Sequence, residues 1–299
     1  MQTTLFPNDD GEVTILKEDN YVPCSDLVTD IVYGDLFELG DHRLLCGDCL
    51  KMGDVDCLLD GGSVDITFTS PPYNTHSKSI HIGFYDENTI VTDKNRYYDN
   101  SKKSVYLSMN DDLTHTEYGD FLCDCLGNSL KVSDDVLFNI GLLAGSKKGV
   151  CKLLYACSDY FCDMLVWDKS HALPMGLPSQ APMVSHRAEF ILCFNQTGNR
   201  KFSHSQWSKG TKDNIICTNE KCNRFSEYHN ATFPLSFAVK VLKDFTKDNV
   251  LDIFGGTGTT LIASEYLNRD CYMMELNPLY CQLIINRWEY YTGEKAKKI

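Results

Sequence analysis

The sequence predicts an α/β fold, a mostly parallel sheet with helices on both faces, and three observations carry that reading. First, residues 250 to 275 run strand, glycine-rich turn, helix, strand, the order of a βαβ unit. Second, two apolar or β-branched runs, Leu44–Cys46 and Val64–Thr69, stop abruptly at turn residues, as buried strands do. Third, Tyr118, Phe121, Leu122, Cys125, Leu126 and Leu130 recur at helical spacing between strand-like runs. With 299 residues and 43% apolar content, the chain can bury a full core.

Taken in order, residues 1–30 are acidic and aperiodic and read as an arm or loosely packed lead-in. Leu44-Leu45-Cys46 ends at Gly47-Asp48, and Val64–Thr69 is halted by Ser70-Pro71-Pro72-Tyr73. Residues 75–110 are polar without a sustained period, which describes a long loop or insertion. After the helix through Tyr118 come strand candidates Val136–Ile140, Met164–Trp167 and Phe190–Phe194. Residues 195–230 are again polar and irregular. Val250–Phe254 is a strand, Thr259–Leu267 a helix, and Cys271–Met274 a strand ending at Glu275. No internal repeat is present.

The formal charge of −13 and a pI near 5.0 argue, on their face, against a nucleic-acid partner. Such a partner needs a local basic patch on an acidic body. Two segments offer one. Arg200, Lys201, Lys209, Lys212, Lys221 and Arg224 meet only Asp213 and Glu220 within residues 195–224, with Phe202, His204 and Trp207 interleaved. Lys78, Lys94, Arg96, Lys102 and Lys103 lie around Tyr97 and Tyr98. Ordinary solvated loops are the alternative for both. The 14 cysteines are scattered through apolar runs and read as reduced, mostly buried thiols. Cys46 with Cys49, and Cys217 with Cys222, fit no zinc ribbon, so no metal is expected. No apolar run reaches about 18 residues, and residues 1–20 lack the order of a signal peptide, so a cytoplasmic chain without membrane contact is expected.

Two motifs carry chemistry. Asp252-Ile253-Phe254-Gly255-Gly256-Thr257-Gly258 lies where a strand meets a helix, and glycine there lets a ligand approach the backbone. Glu275, at the end of the next strand, is placed to accept hydrogen bonds from ribose hydroxyls. A tight turn followed by a solvated acid is the bland alternative. The pattern lacks the third glycine of a dinucleotide fingerprint and the lysine of a P-loop, which weakens both phosphate readings. Thr69-Ser70-Pro71-Pro72-Tyr73-Asn74 ends a strand, where ligands bind in open α/β folds; a rigid proline turn with Tyr73 in the core is its alternative.

Together these residues resemble the amino-group DNA methyltransferases, whose signature is Asp, Asn or Ser followed by Pro-Pro and an aromatic, plus a glycine-rich cofactor loop. The proline motif precedes the cofactor loop here, the order of the permuted β class. Gly47-Asp48-Cys49, Trp167-Asp168-Lys169, Glu189-Phe190-Ile191-Leu192 and His229-Asn230-Ala231-Thr232-Phe233-Pro234 resemble further family stretches, with Asn230 standing where the family usually has Pro. The likeness covers residues 31–74 and 164–299 well and residues 75–160 much less.

The resemblance implies a Rossmann-like methyltransferase fold with a mostly parallel seven-stranded sheet and a small target-recognition insertion. It implies a residue 1–30 arm, a catalytic domain over 31–194 and 231–299, a mobile DNA-contacting loop over 75–117, and a target-recognition insertion over 195–230. Ser70, Pro71, Pro72 and Tyr73 are then catalytic. Asp48, Cys49, Phe233, Asp252, Phe254, Gly255, Gly256, Gly258, Thr259, Glu275 and Asn277 bind S-adenosylmethionine. Lys78, Arg96, Arg200, Lys201, Trp207, Lys209 and Lys212 contact double-stranded DNA. A homodimer and a cognate restriction endonuclease are further implied partners. Ser70 leans towards N4 of cytosine over N6 of adenine. Methylation of cytosine carbon 5 needs a Cys nucleophile, and Pro23-Cys24, in the lead-in, reads as incidental. An RNA or protein amino-methyltransferase, and a non-catalytic DNA-binding protein, remain as alternatives.

Overall fold

The computed structural model describes residues 5–7, 13–15, 19–23, 27–74, 113–169, 187–207, 212–218, 225 and 232–299. Its strands are β1 (Leu5–Pro7), β2 (Val13–Ile15), β3 (Leu36–Leu39), β4 (His42–Cys46), β5 (Val64–Thr69), β6 (Ser133–Ile140), β7 (Phe161–Asp168), β8 (Ala188–Asn195), β9 (Ile215–Cys217), β10 (Asn249–Asp252), β11 (Asp270–Glu275) and β12 (Lys297–Lys298). Its helices are α1 (Met52–Leu59), α2 (His115–Val132), α3 (Lys147–Ala156), α4 (Leu235–Phe245), α5 (Thr259–Leu267) and α6 (Pro278–Thr292).

Strands β1 and β2 pair with each other, and the other ten form one sheet in the order β12-β3-β4-β11-β10-β5-β6-β8-β7-β9. The expected seven strands are therefore corrected to ten, of mixed direction. Five central strands, β4, β11, β10, β5 and β6, are parallel; β3 and β8 run against their neighbours. The additions are edge pieces: β12 and β3 beside β4, and β9 beside β7. They were illegible because they are only two to four residues long, too short to show a strand's period.

Both faces of the centre are covered. Ile66 and Phe68 of β5, Leu137 of β6, Val250 of β10 and Met273 of β11 point into one core with α4, α5 and α6. Val64, Val136, Phe138, Leu251 and Met274 point into the other with α1, α2 and α3. In Val136–Phe138 of β6, Val250-Leu251 of β10 and Met273-Met274 of β11 successive residues alternate between two apolar faces and read as unbroken hydrophobic runs, whereas β5 alternates Val64, Ile66 and Phe68 with buried Asp65, Thr67 and Thr69. Burying Phe68 or Phe138 completely contributes about 1.5–3 kcal/mol each.

Local chemistry sets the helix boundaries. Thr114 and Glu117 form a reciprocal capping box, so α2 begins at His115, three residues before the first apolar position. The loop expected over 75–117 is thus helical from residue 115. Asn277 caps α6 by accepting from Leu279 N at 2.9 Å, and Pro278 fits the first turn. The lead-in is not loose throughout: Asp19 and Tyr21 are buried. Asp19 Oδ2 receives Arg287 Nη2 at 2.6 Å, and Arg287 Nη1 donates to the Thr257 carbonyl at 2.6 Å, tying this segment to the glycine-rich turn.

Candidate active site

Strands β5 and β10 are adjacent and parallel. After β5 the chain crosses to β6 on one side; after β10 it crosses to β11 on the other. The loops at their carboxyl ends therefore diverge and open a crevice, the place where doubly wound sheets bind ligands. The proline motif follows β5, and the Asp252–Gly258 turn follows β10. Thr69 Oγ1 donates to Asp252 Oδ1 at 2.6 Å, and Phe254 N donates to the same oxygen at 3.1 Å, so the two motifs are joined at their bases. Burial raises the Asp252 carboxyl above its ordinary range.

On the proline side, the Ser70 hydroxyl lies 3.1 Å from the Asn139 carbonyl and 3.2 Å from Tyr73 Oη. Its single hydrogen goes to one of them, and its lone pairs stay available as acceptors. Tyr73 Oη donates to Glu189 Oε2 at 2.8 Å; Asn139 Nδ2 donates to both, at 3.2 Å to Tyr73 Oη and 2.9 Å to Glu189 Oε2. Lys169 Nζ pairs with Glu189 Oε1 and lies 4.7 Å from the centre of the Trp167 ring. Burial first, then the Glu189 charge, pushes the Tyr73 phenol well above its usual range. The Pro72 carbonyl accepts from Tyr118 Oη at 2.7 Å. Asn74, buried and left-handed at φ 50°, accepts from Leu113 N at 2.8 Å and donates to Leu113 O at 2.9 Å, clasping the chain on either side of residues 75–112.

On the other side, Glu275 ends β11 beside the turn. Its Oε2 accepts from Gly256 N at 2.8 Å and its Oε1 from Asn277 N at 2.9 Å. Burial raises its carboxyl to about 7, against the opposing pull of these backbone donors. Gly256 and Gly258 have φ of 51° and 80°, a region open to glycine without strain. Gly255 answers to packing: a Cβ there would meet Met273 Cγ at 2.8 Å. Thr259 Oγ1 accepts from Arg287 Nη1 at 3.1 Å. Gly47 N donates to Glu275 O at 3.1 Å, which brings Asp48 to the same edge. Asp48 Oδ1 accepts from Leu50 N at 3.0 Å. Cys49 is buried with its sulfur 3.8 Å from that of Cys125, and Phe233 packs in the core against Phe68 and Phe237. The Phe254 ring leans on Phe121 at 5.8 Å.

Among the described residues of the 195–230 insertion, Arg200, Lys201 and Lys212 are not brought to this edge. Strand β8 runs from Ala188 back to Asn195, opposite Asp135 near the start of β6, so the chain leaves it at the amino ends of the parallel strands. There Arg200 pairs with Asp163 at 2.7 Å, Lys212 pairs with Asp244, and Trp207 packs edge-on against Phe245 at 5.2 Å. Lys201 is exposed beside them. The charges of Arg200 and Lys212 are met by local acids, and Trp207 is a core contact. Lys78, Arg96 and Lys209 lie outside the described residues, as do Lys94, Tyr97, Tyr98, Lys102, Lys103, Lys221, Cys222, Arg224, His229–Ala231 and Cys24. Conversely, Asn139, Lys169 and Glu189 belong to the site but escape sequence reasoning. A signal existed: Asn139 is a polar residue inside the apolar run Val136–Ile140, and Glu189 opens another, Phe190–Phe194.

The sequence profile of the DNA methylase family, covering both N6 and N4 enzymes, matches residues 64–286, a span that contains both motifs. The chain belongs to this family. The type II methyltransferase M.Cfr9I of Citrobacter freundii is 30% identical over 138 residues, 43% of this chain and 44% of that protein. The type II methyltransferase M.MthZI of Methanothermobacter thermautotrophicus is 28% identical over 162 residues, 43% of this chain and 45% of that protein. The matched region thus spans under half the length of these relatives. Among solved structures, the PvuII DNA methyltransferase, cytosine-N4-specific, superposes with a TM-score of 0.55 at 16% identity, over 85% of this chain and 94% of that one. An M1.HpyAVI–SAM complex superposes at 0.51 with 15% identity, over 82% and 98%. This DNA methylase chain has the Rossmann-like fold of those methyltransferases.

Proposed function

We propose that the chain transfers a methyl group from S-adenosylmethionine to the exocyclic amine of a base in double-stranded DNA, with N4 of cytosine ahead of N6 of adenine. The observation that carries this is the convergence of the two motifs on adjacent strands, joined by the Thr69–Asp252 bond.

The residues fit the cofactor. Glu275 Oε2 accepts from Gly256 N and Oε1 from Asn277 N, and the carboxylate keeps lone pairs for ribose hydroxyls. Asn277 Nδ2 is buried without a hydrogen-bond partner among the described residues, a donor suited to the same ligand. Gly256 and Gly258 give the turn its close approach. Bound there, S-adenosylmethionine supplies an electrophilic methyl group.

An exocyclic amine is a poor nucleophile because its lone pair is delocalised into the ring. Acceptors aimed at its two hydrogens localise that pair. Ser70 Oγ accepts one hydrogen, its own being donated elsewhere. With the Pro72 carbonyl taken by Tyr118, the Pro71 carbonyl accepts the other, held fixed by the proline pair. Tyr73, whose ring is flanked by Gly141, offers its other face for stacking on a base flipped from the duplex. DNA then approaches the carboxyl edge, with Lys78 and Arg96, in the segment that follows the motif in sequence, as its proposed contacts. Ser70 is the basis for the cytosine preference.

A cognate restriction endonuclease and a homodimer complete this reading; light scattering tests the dimer. Tritiated cofactor offered with DNA, RNA and protein tests the reaction. Label in DNA supports the reading, and label only in RNA or protein overturns it.

A further inference from the structure

We propose that Glu189 terminates a proton relay, from Ser70 through Tyr73, that takes up the proton released when the target amine is methylated. This rests on the methyltransferase reading above and adds to it a destination for the proton.

As the amine lone pair forms its bond to the methyl carbon and the carbon–sulfur pair withdraws to sulfur, the nitrogen carries one proton in excess. That proton moves to Ser70 Oγ, the N–H electron pair returning to nitrogen. Ser70 passes its own hydrogen over 3.2 Å to Tyr73 Oη, and Tyr73 passes its hydrogen over 2.8 Å to Glu189 Oε2. The net change is one carboxylate become a carboxylic acid, with Ser70 and Tyr73 unchanged. Among the described residues, four other carboxylates at this edge are engaged differently: Asp252 holds Thr69 and Phe254 N, Glu275 the backbone of Gly256 and Asn277, Asp48 the backbone of Leu50, and Asp168 pairs with Arg187.

Three features suit Glu189 to receive a proton. Lys169, just past the end of β7, holds Oε1 and leaves Oε2 to Tyr73 Oη. Asn139 on β6 bonds both Tyr73 Oη and Glu189 Oε2 and so fixes the final step's geometry. The phenol of Tyr73 resists ionisation, so it releases a proton only as it gains one. Glu189 acts through Tyr73 and Ser70 and is a positioning residue, not a group that touches the base.

The test is single-turnover methyl transfer to DNA by wild type, Tyr73→Phe, Glu189→Gln and the double variant, in light and heavy water. Tyr73→Phe keeps the ring and breaks only the relay, so it carries the test even if Glu189→Gln folds poorly. Each single variant is expected to slow transfer by at least about tenfold with cofactor and DNA dissociation constants within about twofold of wild type. The double variant is expected to be no slower than the slower single one, because both break one chain. Heavy water should slow wild type and not Tyr73→Phe. Transfer by Tyr73→Phe at the wild-type rate, or multiplicative losses in the double variant, overturns the relay while leaving the methyltransferase intact. A wild-type chain that methylates no DNA overturns both.

Discussion

In the proposed function Ser70 is an uncharged acceptor where a carboxylate would be stronger, and its usefulness comes from position. The Asn139 carbonyl and Tyr73 Oη draw its hydrogen away, which leaves the lone pairs facing the crevice. Ser70→Ala should reduce turnover by roughly one hundredfold while cofactor affinity, measured by calorimetry, stays within about twofold. Glu275 presents the opposite situation, a charged acceptor that burial holds at about 7. In the proposed function only its ionised form accepts two ribose hydroxyls, so S-adenosylmethionine affinity should fall by about tenfold as pH drops from 8 to 6. Glu275→Ala should weaken binding by more than about tenfold and abolish that pH dependence. A flat affinity profile in wild type would place the ribose elsewhere.

At the scale of elements, the carboxyl edge depends on how neighbouring segments are tied. Arg287 on α6 is buried, holds Asp19 through two nitrogens, and supports the Thr257 carbonyl and Thr259 hydroxyl of the cofactor turn. Replacing Arg287 by Met strands a buried Asp19 carboxylate. The loss should be about 3–5 kcal/mol in chemical denaturation, and a loss under about 1 kcal/mol would mean that Asp19 escapes to water. Elements that bury both faces were legible: Val64–Thr69 and Thr259–Leu267 match β5 and α5 residue for residue, and Leu44–Cys46 and Cys271–Met274 fall inside β4 and β11. Val250–Phe254 overran its strand, since β10 ends at Asp252 and Phe254 packs from the loop. Strands β3, β9 and β12 were missed because two to four residues are too few to show a strand's period. Glu189 and Lys169 were missed as site residues because their partners lie across the sheet, a relation no spacing rule encodes.

Over the whole molecule, a charge of −13 makes the location of positive groups decisive for a DNA partner. Sequence order suggested Arg200 and Lys212, but the antiparallel return of β8 carries them to the amino edge, where Asp163 and Asp244 neutralise them. Their replacement by Ala should leave DNA affinity and its salt slope unchanged, whereas replacing Lys78 and Arg96 should weaken binding and flatten the slope. The reverse pattern would put DNA on the amino edge. Among the described residues, no helix is long and apolar enough to cross a membrane. In the proposed function the crevice at the carboxyl edge is the meeting place for both substrates. The most direct test of that account is mass analysis of nucleosides from DNA incubated with the purified chain and S-adenosylmethionine. The account expects N4-methyl-deoxycytidine to appear and to vanish with Ser70→Ala. N6-methyl-deoxyadenosine alone would contradict the choice of base, and the absence of any methylated nucleoside beside methylated RNA or protein would contradict the function itself.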